Sequence, residues 1–303
     1  MPRRHKKIID VTSAIILLSL IMLDVTMWKN MIMSVVVATA PRIYFLPVTH
    51  GESALLVLPG DVTVLTDAGS DSAVVDDLQK IVPPGDGSYI DLAIISYPQV
   101  ADYEGYQYLL EHYNIGAFLY NGRSDDAHSV EWQQLMSAIA AKRIPLITLN
   151  AGDSIRYGTD EINILSPDTA FAHSADPVDT GIVQRVITPE FTVLLAADIG
   201  TNVEDALLAR GDGAVPANRN AHADVDSAVA DLRADILKAP FPGLGTAAGD
   251  AFLRAVAPRI VVIAPGVKNT PSEPTKAMLA HLASSTKATI VASGHGAFLL
   301  YNE

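Results

Sequence analysis

Two carboxylates follow apolar runs that have the length of buried strands. Asp102 lies in the polar loop after Leu92–Ile95, and Asp198 comes directly after Leu194–Ala197. Carboxylate oxygens are hard ligands, and two of them without imidazole support suit Mg²⁺ or Ca²⁺ better than Zn²⁺. The pair therefore offers a divalent-cation site, although hydrogen-bonded loop carboxylates at strand ends give the same pattern.

Other reactive side chains have weaker support in the sequence. His222, Asp224 and Asp226 have a spacing that could bind a metal from a loop, but with no fourth ligand identifiable, solvated charges explain them better. Ser53 and Ser96 have no histidine and aspartate at a recognisable spacing, which argues against serine hydrolysis. The chain has no cysteine, which excludes disulfides, thiolate zinc sites and cysteine nucleophiles.

Asp67 and a group of tyrosines each have a structural and a functional interpretation. Asp67 lies in an Asp-Ala-Gly turn. It either caps that turn through its side chain or holds the site residues in position without being a ligand itself. The tyrosines could line a binding surface, or some of them could lie on the core face of one helix. They are Tyr103, Tyr106, Tyr108 and Tyr113.

Composition places the chain among globular proteins and argues against a nucleic-acid groove. The 303 residues are 49% hydrophobic and 18% charged, which is enough apolar material for a sizeable core. The net charge is −13. Phosphate backbones are held mainly by clustered Lys and Arg, and here basic residues cluster only between Arg3 and Lys7.

The first forty residues have the pattern of a membrane anchor. Arg3–Lys7 precede the apolar run Ala14–Leu23, which Asp24 interrupts, and a second apolar stretch covers Met31–Ala40. A bilayer span needs about 20 residues, and the basic end would stay cytoplasmic. We predict that residues 1–40 tether the chain to the membrane and that residues 41–303 lie on the extracytoplasmic side. A signal peptide cleaved at Ala38–Ala40 and a buried helix are the alternatives.

Short apolar runs separated by turn residues begin at Pro41. Ile43–Val48, Ala54–Leu58 and Val62–Thr66 are strand-sized, and Gly51 and Pro59–Asp61 separate them. Three such strands predict an antiparallel meander. Further along, apolar runs alternate with helical patterns near 72–82, 104–113, 129–142, 201–210, 246–256 and 274–285.

A second meander is predicted to begin in the hairpin formed by Val183–Ala197, bent near Pro189–Glu190. Two meanders accompanied by helices predict two packed sheets with helices on both outer faces. The fold class is therefore α/β (α+β), an αββα sandwich in one domain over residues 41–303.

Six strings occur in a fixed order over residues 42–300. They are FLPVTHGES at Phe45–Ser53, VLTDAG at Val64–Gly69, ISYPQVADYEG at Ile95–Gly105, LLAADIG at Leu194–Gly200, LKAPFPG at Leu237–Gly243 and FLRAVAPR at Phe252–Arg259. The first five resemble, in turn, F-L-D-V-G-Q-G-D-S, V-L-I-D-A-G, S-H-P-H-A-D-H-I-G-G, L-L-T-G-D-I-G and L-K-V-P-H-H-G of the metallo-β-lactamase-like C-terminal domain in the competence protein ComEC family. The sixth fits the helix and strand that follow.

The resemblance implies a metal-binding scaffold from which most ligands are missing. Tyr97 and Gln99 stand where it places two histidines, and Asp102 stands where it places the last histidine of the turn. Phe241 and Pro242 replace the paired histidines. Asp198 alone keeps a suitable ligand, as a potential metal-bridging carboxylate. Activating water at zinc needs such ligands, so the resemblance implies lost hydrolysis.

These observations predict a membrane-tethered binding or scaffolding module without catalytic residues, metal or cofactor, acting on a small ligand or a protein partner. Its vestigial pocket would be rimmed by Tyr97, Gln99, Asp102, Asp198 and Phe241. The alternative is a divalent-metal hydrolase, resembling a phosphodiesterase, that uses Asp198 and Asp102. A third hypothesis makes the chain a structural subunit of an active homologue. A single anchor also argues against DNA transport by this chain alone.

Overall fold

A computed structural model of the chain describes residues 16, 19–24, 27–28, 40–83, 85, 88–124, 129–211, 231–240, 248–263, 276–292 and 298–300. The chain divides into two compact units, Met1–Ala40 and Pro41–Glu303. In the first unit residues 16, 19–24 and 27–28 are helical, and Ala40 is not. Within the described part of the chain, no helix combines the length and the apolar character needed to cross a bilayer. Most of the predicted anchor lies outside the described residues, so the anchor stays a prediction.

The second unit contains two sheets, each with seven strands among the described residues. The first sheet has the order β14-β1-β2-β3-β4-β5-β6. Its strands are β1 (Arg42–Phe45), β2 (Ala54–Leu58), β3 (Val62–Thr66), β4 (Tyr89–Ile94), β5 (Asn114–Tyr120), β6 (Leu146–Thr148) and β14 (Phe298–Leu300). The pairs β14–β1, β1–β2 and β2–β3 are antiparallel, whereas β3 to β6 are parallel.

The second sheet repeats this plan with the order β7-β8-β9-β10-β11-β12-β13. Its strands are β7 (Ser154–Tyr157), β8 (Asp160–Ser166), β9 (Val183–Ile187), β10 (Thr192–Leu195), β11 (Ile236–Lys238), β12 (Ile260–Ile263) and β13 (Thr289–Ala292). Strands β7 to β10 are antiparallel, and β10 to β13 are parallel. The carboxyl ends of the parallel strands are where open α/β sheets usually place a site.

Helices cover the outer face of each sheet, because each has one apolar stripe to bury. They are α1 (Ala73–Leu78), α2 (Val100–Tyr103), α3 (Gly105–His112), α4 (Val130–Ala141), α5 (Thr201–Gly211), α6 (Asp250–Val256) and α7 (Lys276–Ser285). One core cluster joins α1, α3 and α4 to the first sheet, and another joins α5, α6 and α7 to the second. A third cluster fills the space between the sheets. The four layers are α, β, β and α, as predicted.

The structure confirms the first predicted meander, and the helical patterns correspond to described helices. The second meander begins earlier than predicted, at β7, and the Val183–Ala197 hairpin ends it, because β10 pairs with β11 in parallel. The structure also shows elements that the sequence did not indicate. Strand β7 is mostly exposed and has four residues, so its polar–apolar alternation is too short to mark a strand. Strand β14 closes the edge of the first sheet beside β1, and α2 is a single short turn before α3.

Candidate functional site

Asp67 lies at the carboxyl end of β3 and holds the neighbouring loop. Its φ of 58° puts it in the left-handed region, which Asp tolerates better than most residues. The Ser96 backbone N–H donates to Asp67 Oδ1 at 2.8 Å, and the Ser96 hydroxyl donates to Oδ2 at 2.6 Å. Asp67 therefore fixes the start of the loop after β4, which is the orienting role that its sequence position left open.

Burial raises the pKa of Asp67 from 3.8 to about 7, because a carboxylate loses its hydration inside the protein. The two hydrogen bonds from Ser96 oppose this rise, and repulsion from Asp198 adds to it. Near neutral pH this buried group is therefore only partly ionised.

The loop after β4 places in different surroundings the residues that stand where the sequence resemblance puts histidine ligands. Tyr97 is 9% exposed, whereas Gln99 is exposed and directs its backbone carbonyl to the N–H of Asp102 at 2.8 Å. Asp102 is 3% exposed, and its Oδ1 has no hydrogen-bond partner among the described residues. Burial, followed by repulsion from Asp198 and Asp67, raises the pKa of Asp102 well above its ordinary value.

Main-chain hydrogen bonds hold this end of the first sheet together. The N–H of Ala68 donates to the Asp102 carbonyl at 2.7 Å, and that of Gly69 donates to the Glu52 carbonyl at 2.9 Å. The N–H of Gly105 donates to the Gly69 carbonyl at 2.8 Å. A Cβ at Gly105 would lie 1.9 Å from the Ala68 carbonyl oxygen, so this close approach requires glycine.

Lys238, the last residue of β11, brings a cation from the second sheet into the site. Its Nζ contacts the carboxylate of Glu52, donates to the Ala197 carbonyl at 3.0 Å and lies 3.7 Å from Asp198 Oδ1. The residue is 4% exposed. Burial lowers the pKa of Lys238 well below its usual value, whereas contact with the Glu52 carboxylate favours the charged ammonium.

A cleft lined by Lys238 lies between the two sheets, and its empty space of about 430 Å³ includes space open to solvent. Its polar lining is Glu52, Ser53, Thr66, Asp67, Ser96, Gln184 and Lys238. Its apolar lining is Phe45, Leu46, Ala54, Leu195, Ala197 and Val262. Apolar walls with convergent polar groups are typical of a small-molecule site.

Gln184 supplies an unused hydrogen-bond donor to that lining. The residue is 1% exposed, and its Oε1 accepts from the Thr66 hydroxyl at 3.2 Å, which ties β9 to β3. Its Nε2 has no hydrogen-bond partner among the described residues. An unpaired buried amide group is costly, typically by about 1–3 kcal/mol, and a ligand that carried an acceptor would remove this cost.

Most of the tyrosines belong to the core. Tyr106 is fully buried, and its hydroxyl oxygen lies 2.9 Å from the carbonyl oxygens of both Leu65 and Ile94, so that these two acceptors share its one proton. Tyr103 is also fully buried, and the Tyr113 hydroxyl donates to the Val82 carbonyl at 2.8 Å. These contacts favour the structural interpretation. Tyr108 is the partly exposed member of the group.

The structure brings Asp102 and Asp198 close enough for each ionised form to disfavour the other. Within the described ranges, no three His, Cys, Asp or Glu side chains converge in a way that could hold a metal ion. The remaining predicted positions lie outside the described residues: Phe241, Pro242, His222, Asp224 and Asp226.

Glu52, Gln184 and Lys238 were not predicted as site residues. One signal for Lys238 was available, because a lysine inside the apolar run 234–239 must find a partner when that run becomes a strand. No such signal identifies the partner, since Glu52 lies far away in the sequence.

Comparison with known proteins identifies the fold. No family model matches the chain, and no curated protein does. Among solved structures, the metallo-β-lactamase fold protein YhfI from Bacillus subtilis has 14% identity and a TM-score of 0.56, with 87% of this chain and all of YhfI covered. Tm1679, a metal-dependent hydrolase of the β-lactamase superfamily, has 14% identity and a TM-score of 0.50, with 87% of this chain and all of Tm1679 covered.

A third similar structure is the E377D mutant of the β-hydroxylase CmlA from Streptomyces venezuelae, whose native form is a diiron enzyme. It has 11% identity and a TM-score of 0.54 over 86% of this chain and 54% of CmlA. At these identities the similarity concerns the fold alone. The two mixed sheets and their outer helices, together with these matches, show that the chain has the metallo-β-lactamase fold.

Proposed function

We propose that this chain is a metal-independent binding module built on the metallo-β-lactamase fold and that its ligand enters the cleft between the two sheets. The observation that carries the proposal is the loop after β4, where Tyr97 and the exposed Gln99 stand at the positions that the sequence resemblance gives to histidine ligands. The Lys238 ammonium contacts Glu52 and lies 3.7 Å from Asp198, the carboxylate that the sequence resemblance assigns as a metal bridge.

The donor set does not fit the transition-metal centre that the fold family implies. Imidazole and carboxylate ligands suit zinc and iron, whereas Tyr97 and the exposed Gln99 occupy the loop where histidines would stand. Asp102 directs a buried oxygen toward Gly51, where an added Cβ would lie 2.8 Å from Oδ1. These residues support binding without an activated metal hydroxide.

Metal analysis of the purified full-length chain tests this proposal. We expect less than about 0.1 equivalent of zinc, manganese or iron, because Tyr97 and Gln99 supply no imidazole and no three His, Cys, Asp or Glu side chains converge within the described ranges. Near-stoichiometric metal in the native chain that is lost in Asp198→Asn would overturn the proposal.

Ligand binding is tested by thermal-shift screening with small amides, amines and carboxylic acids. A true cleft ligand should raise the unfolding midpoint of the native chain. It should have no effect on Ala54→Leu, which places a larger side chain in the cleft lining, and should keep its effect on the surface variant Lys80→Met. Stabilisation that persists in Ala54→Leu would place the ligand elsewhere.

A second candidate function is a divalent-metal hydrolase that uses Asp198 and Asp102. One observation favours it: Asp102 Oδ1 is buried without a hydrogen-bond partner among the described residues, and a metal would satisfy such an oxygen. The test is phosphodiester hydrolysis with Mg²⁺, Mn²⁺ or Ca²⁺, comparing the native chain with Asp102→Asn. Metal-dependent turnover that this substitution abolishes would favour the hydrolase.

The proposal also includes a relationship to the ComEC family and an extracytoplasmic location. Similarity to the ComEC domain rests on the six sequence strings, and an extracytoplasmic location rests on the basic and apolar pattern of residues 1–40. A periplasmic reporter fused after Glu303 should be active if this orientation is correct. A silent reporter would reverse it.

A further inference from the structure

The residues that face the space between the two sheets change from apolar to polar at the end where the cleft lies. Side chains on a strand alternate between its two faces, so residues two positions apart share one face. On β3, Val64 belongs to the core between the sheets, and Thr66 follows it on the same face. On β9 the same step leads from Val186 to Gln184, and Lys238 ends β11. Three strands from the two sheets thus present a polar side chain to one cleft.

Gln184 is held between the sheets by the position of its strand. Its backbone pairs with Leu195 of β10 on one side and with Ile164 of β8 on the other. The residue is 1% exposed, so water does not hydrate its amide group. A buried amide is unfavourable unless both of its ends are hydrogen-bonded. The fold therefore fixes a polar side chain in a place where an apolar one would be more stable.

The hydroxyl and ammonium donors that line the cleft already have acceptors within the protein. The pairs are the Ser53 hydroxyl with the Asp67 carbonyl, the Ser96 hydroxyl with Asp67 Oδ2, the Thr66 hydroxyl with Gln184 Oε1, and the Lys238 ammonium with Glu52 and the Ala197 carbonyl. Gln184 Nε2 carries two N–H groups and has no acceptor among the described residues. The open side-chain donor of the lining is therefore this amide.

The charges of the lining disfavour an ionised ligand. Glu52 and Asp67 are acids, so an anionic ligand would be close to groups of its own charge. A cationic ligand would lie near the Lys238 ammonium, and because a cation offers donors, it would leave Gln184 Nε2 without an acceptor. An uncharged ligand with a carbonyl oxygen avoids both disadvantages and pairs the amide.

We propose that the cleft selects an uncharged carbonyl compound, whose oxygen accepts from Gln184 Nε2 and whose apolar body lies against Phe45 and Leu195. The inference rests on the proposed function in that the ligand enters this cleft, and it adds the ligand class and the residue that selects it. Because Nε2 is buried, the amide turns toward the cleft as the ligand enters. The hydrogen bond from Thr66 is long for a hydroxyl donor, at 3.2 Å, so this turn sacrifices little.

The experiment compares three probes built on the same cyclopentane ring, with dissociation constants measured by NMR titration of the full-length native chain at neutral pH. The probes are cyclopentanone, cyclopentylammonium and cyclopentanecarboxylate. We expect cyclopentanone to bind about three to ten times more tightly than either ion, because it alone brings an acceptor without a charge. Equal or tighter binding of either ion would overturn the proposal, as would the absence of cyclopentanone binding.

Substitution of the amide tests whether it is the selecting group. Gln184→Leu replaces it with an apolar side chain of similar size, and it should weaken cyclopentanone binding about three- to tenfold and remove the preference over the two ions. Gln79→Leu is the matched control, because Gln79 lies outside the cleft lining and its Nε2 is 3.4 Å from Asp76 Oδ1. Cyclopentanone binding by Gln184→Leu as tight as that of the native chain would contradict the proposal.

A third variant separates the ligand contact from the contact between the sheets. Thr66→Val removes the hydrogen bond that ties β3 to β9 but keeps the Gln184 amide. The preference for cyclopentanone over the ions should therefore survive in Thr66→Val. Its loss there would show that the tie between the sheets, and not the amide donor, determines the selection, which would overturn the proposal.

A crystal structure of the native chain soaked in cyclopentanone decides the question even if Gln184→Leu does not fold. The ketone oxygen should lie within about 3.2 Å of Gln184 Nε2, the limit of a normal hydrogen bond to nitrogen. A ketone bound elsewhere, or bound in the cleft with its oxygen directed away from Gln184, would overturn the proposal.

The outcomes distinguish this inference from the proposed function. An ion that stabilises the native chain but not Ala54→Leu, with cyclopentanone inactive, would leave the binding module standing and remove the ligand class. Near-stoichiometric metal that is lost in Asp198→Asn would remove the metal-independent module. The response of cyclopentanone binding to Gln184→Leu would still decide the ligand class.

Discussion

The two sheets have the same topology but bring different chemistry to their shared end. Strands β3 and β4 of the first sheet correspond in order and direction to β10 and β11 of the second. After β3 comes Asp67, held by two hydrogen bonds from Ser96 beyond β4. After β10 comes Asp198, which faces the ammonium of Lys238 on β11. Equivalent carboxylates are thus accommodated by neutral donors in one sheet and by a cation in the other.

This difference shows two ways in which a fold can bury an acid. Neutral donors replace only part of the hydration that the Asp67 carboxylate loses on burial. The pKa of Asp67 therefore rises to about 7, and the group keeps its proton to a higher pH. An ammonium compensates the charge itself, and Asp198 stays partly exposed. The two sheets should therefore respond differently to substitution and to pH.

The largest expected effect comes from the second sheet, which carries the Lys238 ammonium. Lys238→Met should lower the free energy of unfolding by about 3–5 kcal/mol, the usual cost of removing one partner of a buried ion pair. Urea denaturation at pH 7 without divalent cations measures it. The variant Lys238→Met/Glu52→Gln should recover much of the loss, because it also removes the unpaired charge. A double variant as unstable as the sum of both single variants would show that the pair is not coupled.

The next largest effect is the pH dependence of the stability that Asp67 contributes in the first sheet. Asp67 keeps its proton up to about pH 7 in the folded chain but releases it near pH 3.8 when unfolded. Its contribution to stability is complete below pH 3.8 and is lost as the pH rises toward 7, by on the order of 3 kcal/mol. The difference in the free energy of unfolding between native chain and Asp67→Asn, measured from pH 4 to 8, should show this decline.

Asn is a suitable replacement at position 67 because it tolerates the φ of 58° there. A pH-independent difference between the two chains would contradict the assignment of the raised pKa to Asp67.

A smaller loss is expected at the first sheet's core. Tyr106→Phe removes the hydroxyl whose proton the Leu65 and Ile94 carbonyls share. It should lower the free energy of unfolding by about 1–3 kcal/mol, since buried carbonyls lose a donor. Tyr113→Phe removes a single hydrogen bond and should cost less. Chemical denaturation of both variants tests the structural role, and a wild-type stability of Tyr106→Phe would contradict it.

The smallest effect is predicted for a surface ion pair. Lys80→Met removes the pair with Asp77, whose lysine is mostly exposed. We expect a change of about 0–1 kcal/mol, because water screens exposed pairs. Thermal denaturation at two salt concentrations measures it. A loss as large as that of Lys238→Met would show that burial is not what separates the two lysines.

The sequence predicted most of the fold because the turns are local. Pro59–Asp61 and Gly51 separate apolar runs short enough to be strands, and the resulting meander is the one observed. Strand β7 was missed because its alternation covers four mostly exposed residues, which is too short to identify a strand. Strand β14 was missed for a different reason, since its pairing with β1 joins opposite ends of the domain.

The site was predictable in its position and less so in its contacts. Asp102 and Asp198 follow apolar runs, so their places at strand ends could be inferred. The ion pair between Glu52 and Lys238 could not be inferred, because the sequence around each residue does not indicate its partner. Long-range polar contacts depend on how the sheets pack, which periodicity does not encode.

The hydrogen bonds between the Asp67–Gly69 turn and the residues around it involve backbone atoms, and they remain available whatever side chains those positions carry. Gly105 is the exception, since its lack of a Cβ lets the helix approach the Ala68 carbonyl. The outline of the turn is thereby independent of the side chains at the positions where the sequence resemblance places ligands. Protein engineers could therefore install imidazoles at positions 97 and 99 on a preformed frame, provided that Gly105 is left untouched.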